Sequence, residues 1–425
     1  MVGGRRLVSG LSAALVAASL LAPAAQAAES AAAFRPVNLK PALDSAEAGI
    51  WGLSDKAEAQ VKSSAELDRD AALNAYVKGV VCKVASEYCP ELRVYVLDRP
   101  FLNAAAAPNG YVEVWSGLLL RARSEDELAY VLGHEVSHFA RNHTLERWVA
   151  AKHTANTLLV LQAVVAVGAA GAMYSAAGSG APGAGQRINN ISYAAQSLND
   201  LIYLAGVSAL FGFSREEESE ADKLGFERAV KAGYDKGAGA SMWNDVIAES
   251  QASDFPKVRQ SESRASIFST HPLTPERIQA LEALGGAQRA PDAEAMKRYR
   301  AMIRPHLASW LKDELRRRDY GESLHLIGRL SAEGEDLGVL NFYRAEAYRQ
   351  RRADGDAGLA LAAYQAAAAQ PDAPNETWRE LGAALRKSGD KAGASKALQT
   401  YIAKAPQADD RWIVEGDLKT LTEGS

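Results

Sequence analysis

The sequence predicts a mostly α-helical protein, with a small β-sheet edge next to one central helix and an α-helical repeat region after it. Three observations support this fold class. Apolar residues recur at helical spacing over residues 131–139, and residues 111–116 alternate between apolar and polar. The sequence after residue 290 is Ala- and Arg-rich, with helical periodicity and a 34-residue period.

The composition is that of a globular protein. The chain has 425 residues, of which 48% are hydrophobic, so two or three domains with their own cores can form. The net charge of −4 gives no basic face, and we expect no nucleic-acid partner.

Residues 1–27 have the pattern of a secretory signal peptide. Arg5 and Arg6 precede an apolar run, and residues 25–27 form a small-x-small cleavage site that ends at Ala27. We therefore expect cleavage near Ala27 and a periplasmic protein. No cysteine lies near this junction, so we do not expect a lipoprotein.

The sequence has two cysteines, Cys82 and Cys89, which are candidates for a disulfide. In an exported protein, two cysteines seven residues apart and followed by Pro90 indicate a disulfide that closes a helix-to-strand turn. A continuous helix would hold the two residues too far apart. The spacing is not that of a CxxC metal site.

The motif His134-Glu135-x-x-His138 lies within the predicted central helix. A spacing of four puts both imidazoles on one helical face, about one turn apart, where they can chelate a single zinc ion. The carboxylate of Glu135 then lies beside the metal, where it can take a proton from zinc-bound water and pass it to a leaving amine. The motif therefore predicts a zinc-dependent endopeptidase with one zinc ion per chain.

Two other zinc arrangements are disfavoured. A metzincin would have a glycine at 141 and a third histidine at 144, but these positions are Arg141 and Thr144. His143 lies five residues after His138, well around the helix, and is interpreted as a helix-end or solvent-facing histidine. A structural zinc site is a weak alternative because such sites usually close all four positions with Cys or His.

A carboxylate is the better candidate for the third ligand. The capping box that begins at Ser214 predicts a helix start, and Glu218 and Asp222 then share one face of that helix. Glu218 can bind zinc, and Asp222 can accept a hydrogen bond from the outer ring nitrogen of a ligand histidine. Glu216 and Glu220 form a competing pair at the same spacing, and the alternative interpretation is that both are solvated.

Together these motifs resemble the HtpX-like and BepA-like family of gluzincin metalloproteases, relatives of the CAAX prenyl endopeptidases. Residues 103–114 and 269–278 resemble further landmarks of that family, and the resemblance spans roughly residues 45–285. It implies zinc on His134, His138 and Glu218, with Glu135 as general base and Asp222 as the outer partner of a ligand. It also implies that His271 and Arg277 lie across the cleft and stabilise the oxyanion or hold the substrate.

Two other interpretations of His271 stay open. A neutral imidazole could fill the fourth position on zinc and silence the enzyme until substrate displaces it. The residue could also be an ordinary loop histidine before a proline.

The segment before the central helix is expected to contact substrate through Asn103, Tyr111, Val112 and Glu113. An exposed strand edge at 111–116 could pair with an extended backbone, which favours unfolded chains over folded ones. Ala105 stands where the family motif often has a larger residue.

Residues 157–212 form an apolar insertion between the central helix and the third ligand. Its first part, residues 157–174, lacks charges but is rich in Ala and Gly, at the lower limit for a membrane span. We expect a helical hairpin that covers the active site or contacts a membrane surface, in preference to a true span.

The tail has the period of a tetratricopeptide repeat. Ala360 and Ala394, like Tyr364 and Leu398, are 34 residues apart. Such helix pairs stack into a groove suited to peptides or a partner, here expected to be envelope assembly machinery. The alternative is a plain helical bundle.

These expectations combine into three regions, a signal peptide (1–27), a metalloprotease domain (28–290) and a TPR-like domain (291–425). We expect an exported zinc endopeptidase that hydrolyses unfolded or misassembled envelope proteins, in protein quality control or outer-membrane protein assembly. The alternative function is a TPR-based periplasmic chaperone or binding module with little or no proteolysis.

Overall fold

The computed structural model describes residues 34–150, 213–260, 271, 273–285 and 292–423. The predicted signal peptide and the insertion at 157–212 therefore lie outside the described residues. Within the described ranges the predicted fold class is confirmed, because helices dominate and three strands form one small sheet. None of the described helices is both long enough and apolar enough to cross a membrane.

The first half of the described chain contains the sheet and five helices. In chain order these elements are α1 (Ala46–Ser63), α2 (Ala71–Val84), β1 (Arg93–Leu97), β2 (Ala104–Ala106), β3 (Tyr111–Trp115), α3 (Ser116–Arg121), α4 (Glu125–Ala140) and α5 (His143–Ala150). Helix α2 ends before the second cysteine, so the turn that follows brings Cys82 and Cys89 to a Cα–Cα distance of 4.8 Å, and the structure joins them in a disulfide.

Strand β3 lies in the centre of the sheet, whose order is β1-β3-β2. It pairs in parallel with β1 and antiparallel with β2, and all five of its residues are buried. The predicted edge at 111–116 was therefore wrong. The alternating pattern arises because Val112 and Val114 pack into the main core, while Glu113 is buried on the other face and accepts hydrogen bonds from Tyr111 and Trp115. The edge beside α4 is β2.

The second half of the described chain is helical. Its helices are α6 (Arg215–Lys231), α7 (Ala238–Ala252), α8 (Pro256–Gln260), α9 (Pro275–Gly285), α10 (Ala293–Ile303), α11 (Leu307–Arg316), α12 (Tyr320–Ser331), α13 (Leu337–Arg351), α14 (Asp356–Ala368), α15 (Glu376–Ser388), α16 (Lys391–Lys404) and α17 (Arg411–Glu423). Helix α6 begins with the expected capping box at Ser214, in which Glu217 supplies the second hydrogen bond.

Helices α4 and α6 cross at two glycines. A β-carbon at Gly225 would lie 2.8 Å from the backbone nitrogen of His134, and one at Gly133 would lie 3.1 Å from the carbonyl oxygen of Gly225. Only a residue without a side chain permits this approach, so the two backbones lie against each other. The crossing places the motif of α4 beside the carboxylates of α6.

The C-terminal helices continue the same core. Helix α10 packs against α4, and the hydroxyl of Tyr299 donates a hydrogen bond of 2.7 Å to the carbonyl of Leu119. Beyond them, each of the helices α13–α17 packs against the next in the chain, and Ala360 of α14 and Ala394 of α16 are both buried. This arrangement agrees with stacked helix pairs, and the tetratricopeptide assignment stays a prediction.

Candidate metal centre

Helix α4 carries the first two candidate ligands. Ser124 caps its N-terminus, and its apolar face is buried in the main core, so the motif residues are also buried. The spacing of one helical turn brings the Nε2 atoms of His134 and His138 to within 3.1 Å of each other.

Two further side chains complete a four-residue group. Glu218 of α6 and His271 each offer one atom to the same point as His134 and His138, and the four donor atoms lie within 4.8 Å of one another. His271 Nδ1 lies 2.8 Å from Glu218 Oε1 and 3.3 Å from His134 Nε2. Imidazole nitrogens and a carboxylate oxygen are the donors that zinc prefers in proteins, so the residues present fit a zinc ion.

Asp222 and Arg277 lie directly behind this group. Asp222 Oδ1 is 3.0 Å from His134 Nδ1 and accepts a hydrogen bond of 2.7 Å from the Tyr130 hydroxyl. Nε and Nη2 of Arg277 donate to the carboxylate of Asp222, and its Nη1 lies 2.6 Å from Glu218 Oε2. The guanidinium therefore pairs with two carboxylates of α6, and Arg277 also lines a cavity together with Glu218 and Phe213. Its implied contact with the oxyanion or the substrate stays a prediction.

Glu135 lies on the other side of the group, with Oε1 3.5 Å from His271 Nε2. Burial raises the pKa of Glu135, while the nearby His271 and His134 offset part of this rise. A carboxylate whose proton affinity is raised in this way is a better general base.

The pKa shifts of His138 and Glu218 favour the protonation states that metal binding requires, whereas that of His271 does not. Burial lowers the pKa of His138 well below its ordinary value, and His134 and His271 lower it further, so its imidazole is neutral. Burial alone would raise the pKa of Glu218, but His271 and Arg277 lower it overall. For His271 burial is outweighed by Glu135 and Glu218, which raise its pKa.

His143 lies at a helix end, as the first residue of α5, but it is buried and does not face solvent. Asn142 adopts a left-handed conformation with φ 59°, which ends the path of α4, and His143 begins α5 with only 3% of its surface exposed. Its Nδ1 lies 2.9 Å from Nδ1 of His138. An Asn before the histidine was the available signal, because Asn tolerates this backbone conformation.

Phe213 is a second residue that the sequence analysis missed. Its ring stacks on His138, with ring centroids 3.8 Å apart and an interplanar angle of 20°. The residue precedes the capping box of α6, and nothing in its spacing relates it to the motif.

The residues predicted to contact substrate are not grouped at an open edge. Tyr111, Val112 and Glu113 lie on the central strand, whose backbone is paired on both sides. Asn103 is buried, and its carbonyl accepts a hydrogen bond from the backbone of Trp115 just before β2 begins.

Two crossing helices that bring a His-Glu-x-x-His motif and a carboxylate to one buried point define a gluzincin metallopeptidase centre. The sequence profile of peptidase family M48 matches residues 64–284, slightly more than half of the chain. The chain belongs to peptidase family M48, and the resemblance found in the sequence is thereby confirmed.

Several curated relatives share this part of the chain. A putative beta-barrel assembly-enhancing protease of Vibrio cholerae is 27% identical over 213 residues, 49% of this chain and 38% of the relative. The mitochondrial metalloendopeptidase OMA1 of Danio rerio is 30% identical over 193 residues, 45% of this chain and 35% of the relative. The beta-barrel assembly-enhancing protease of Escherichia coli K12 is 23% identical over 222 residues, 52% of this chain and 40% of the relative.

Proposed function

We propose that this protein is a zinc-dependent endopeptidase. The observation that supports this proposal most directly is the convergence of His134, His138, Glu218 and His271 on one buried point, with Glu135 beside it. Family membership supports the same reaction class. Bound at this point, zinc would polarise a peptide carbonyl and lower the pKa of a water molecule.

Three side chains would support the reaction at the metal, namely Glu135, Asp222 and Arg277. Glu135 accepts a proton from the attacking water and delivers it to the leaving amine. Asp222 accepts the Nδ1 proton of His134, so that the Nε2 lone pair points to the metal. Arg277 offsets part of the negative charge of Glu218 and Asp222 and holds both carboxylates in place.

We assign His271 to the fourth position on zinc. Its Nδ1 points to the same place as the other donor atoms, which supports this role over an oxyanion contact. An occupied fourth position leaves no room for substrate, so His271 would hold the enzyme inactive until substrate displaces it.

The substrate we propose is an unfolded polypeptide that pairs with strand β2. This strand is an edge of the sheet beside α4, and no other described strand pairs with its outer side. An extended backbone can add there by main-chain hydrogen bonds, which a folded protein cannot offer. The names of the bacterial relatives support envelope proteins as the substrates and assembly machinery as a partner of the helical tail.

We further propose that the protein acts in the periplasm. The disulfide between Cys82 and Cys89 supports an oxidising compartment. The proposed regions are the signal peptide at 1–27, the metalloprotease domain at 28–290 and the TPR-like tail at 291–425.

The first experiment measures zinc content and cleavage of an unfolded casein-like substrate by the mature protein. We expect one zinc ion per chain in the wild type and in Glu135→Gln. Cleavage should fall by at least about a hundredfold in Glu135→Gln, because general acid–base catalysis contributes that much. Cleavage should rise in His271→Ala, which frees the fourth position.

The outcomes separate the competing functions. Zinc binding without Glu135-dependent cleavage in any variant would favour the chaperone or binding module, particularly if client binding persists in Glu135→Gln. Absence of zinc from the wild type would contradict the proposed enzyme altogether.

A further inference from the structure

The outer nitrogens of both motif histidines lead to carboxylates of helix α6. For His134 the connection is direct, to Asp222. For His138 it passes through another imidazole, since Nδ1 of His138 lies 2.9 Å from Nδ1 of His143. Nε2 of His143 in turn lies 3.0 Å from Oε2 of Glu220.

Only one arrangement of protons gives a donor and an acceptor at each contact of the series His138–His143–Glu220 and leaves His138 able to bind a metal. A metal on Nε2 of His138 requires the ring proton on Nδ1, which must then donate to His143 Nδ1. His143 Nδ1 is therefore the acceptor, so the proton of its neutral ring is on Nε2. That proton donates to the carboxylate of Glu220, which only accepts.

Neighbouring residues hold His138, His143 and Glu220 in this arrangement. His143 is buried, and it follows the left-handed Asn142 that turns the backbone back towards α4. Oε1 of Glu220 also lies 3.0 Å from Nε of Arg141, so this glutamate is held between the arginine and His143. The ring of Phe213 covers one face of His138.

We propose that His143 and Glu220 are positioning residues that hold His138 in the tautomer whose Nε2 lone pair faces the zinc site. Helix α6 then supplies one metal ligand, Glu218. It also supplies the carboxylates that accept the outer protons, Asp222 from His134 and Glu220 from His138 through His143. The inference rests on the proposed zinc site and adds to it two residues that touch neither metal nor substrate.

Zinc affinity of the full mature protein, measured by competition with a fluorescent chelator, tests the role of His143. Removal of an outer hydrogen-bond partner of a ligand typically weakens metal binding by about 10- to 100-fold, and we expect this loss in His143→Leu. His143→Asn should recover most of the affinity, because its amide oxygen can accept the His138 Nδ1 proton in place of the imidazole nitrogen. Thermal unfolding of the zinc-free forms reports any damage to folding separately.

Glu220 offers a second test that does not disturb the core, since its side chain is partly exposed. Glu220→Ala should weaken zinc binding by about 3- to 10-fold. Glu216→Ala is the matched control, because Glu216 is an exposed glutamate of the same helix.

The results distinguish this inference from the proposed function. If the wild type binds zinc and cleaves substrate but His143→Leu binds zinc equally well, the positioning role is wrong and the enzyme assignment stands. Equal losses in His143→Leu and His143→Asn would also overturn it, because packing and not the acceptor would then matter. Equal affinities in the two glutamate variants would remove Glu220 from the series His138–His143–Glu220, and a wild type without zinc would overturn both proposals.

Discussion

Arg277 is the residue that makes a carboxylate-rich helix compatible with a buried site. Burial would raise the pKa values of Glu218 and Asp222, yet both are lowered. His271 and this guanidinium lower the pKa of Glu218, and the guanidinium is the main cause of the lowering at Asp222. The three charged groups form a buried ion-paired cluster. Among the described residues, Arg277 is the one arginine or lysine that pairs with these two carboxylates.

Replacement of this cation should therefore destabilise the zinc-free protein. Removing one partner from a buried ion pair typically costs about 3–5 kcal/mol, and we expect Arg277→Met to lower the free energy of unfolding by that amount. Urea denaturation of the metal-free protein measures it. Arg215→Met, at an exposed arginine of α6, should change stability by less than about 0.5 kcal/mol. Similar losses in both variants would show that the cluster has no special role.

Residues on one helix could be predicted from the sequence, and residues brought from elsewhere could not. The helical period relates His134 to His138 and Glu218 to Asp222 without knowledge of the fold. His271 was singled out by resemblance, because no local rule connects it to a helix 137 positions earlier. His143 was misinterpreted since the helix was extended past Asn142.

Strand β2 has backbone groups on its outer side that a substrate could pair with. Asn103 and Ala107 exchange hydrogen bonds with β3, so the alternation of an antiparallel ladder turns the backbone groups of Ala104 and Ala106 outward. The proposed substrate would pair with these outward groups.

Ala106→Pro removes one outward N–H while leaving the ladder to β3 intact. Loss of a main-chain hydrogen bond to substrate should lower kcat/KM for an unfolded polypeptide by about tenfold. Zinc affinity should stay unchanged, and thermal unfolding reports separately any cost of placing the proline ring at this buried position. The control Ala106→Ser retains the N–H and should cleave like the wild type, and normal cleavage by the proline variant would exclude pairing at this edge.

The alternating pattern at 111–116 correctly predicted a strand. It did not predict that this strand, β3, lies in the centre of the sheet and not at an edge. Alternation distinguishes two faces, but it does not tell whether the polar face is solvated. Here the polar residue is Glu113, which accepts hydrogen bonds from Tyr111 and Trp115 and lies 3.5 Å from Nη1 of Arg99. A strand buried on both faces has the same sequence pattern when such partners are present.

At the scale of the whole molecule, a buried ion network joins the metalloprotease region to the helical tail. Arg121 of α3 pairs with Glu249 of α7 and Glu314 of α11, and Arg317 pairs with Glu314 and Glu322 of α12. Two guanidinium groups thus face three carboxyl groups, which favours a proton on one of them. Burial raises the pKa of Glu322 to about 7, with Glu249 and Asp319 adding to the rise and Arg317 and Arg121 opposing it.

This raised pKa makes stability depend on pH. An unfolded glutamate titrates near 4.5, so between about pH 4.5 and pH 7 the folded protein binds the extra proton and loses stability as pH rises. Glu322→Gln removes the effect. We expect the wild type to lose about 2–3 kcal/mol relative to this variant between pH 5 and pH 7.5 in urea denaturation. The exposed control Glu376→Gln should follow the wild type, and parallel curves for wild type and Glu322→Gln would refute the prediction.

The tail illustrates what periodicity can and cannot predict about a whole molecule. The 34-residue spacing relates Ala360 to Ala394, and both residues are buried in the structure. It gave no indication of Arg121, Glu249 and their partners, because ion pairs across distant helices depend on how the regions dock.

The crossing of α4 and α6 has a consequence for ion selection. Where Gly133 meets Gly225, the two main chains touch, and no side chain can repack to change their separation. The separation of the two main chains that carry His134, His138 and Glu218 is therefore set by the fold. Three imidazole nitrogens and one carboxylate oxygen suit a small ion with four ligands at about 2.0–2.3 Å, whereas Ca²⁺ prefers six to eight oxygens at about 2.3–2.6 Å. Ionic radius and coordination number would decide which cation the centre retains.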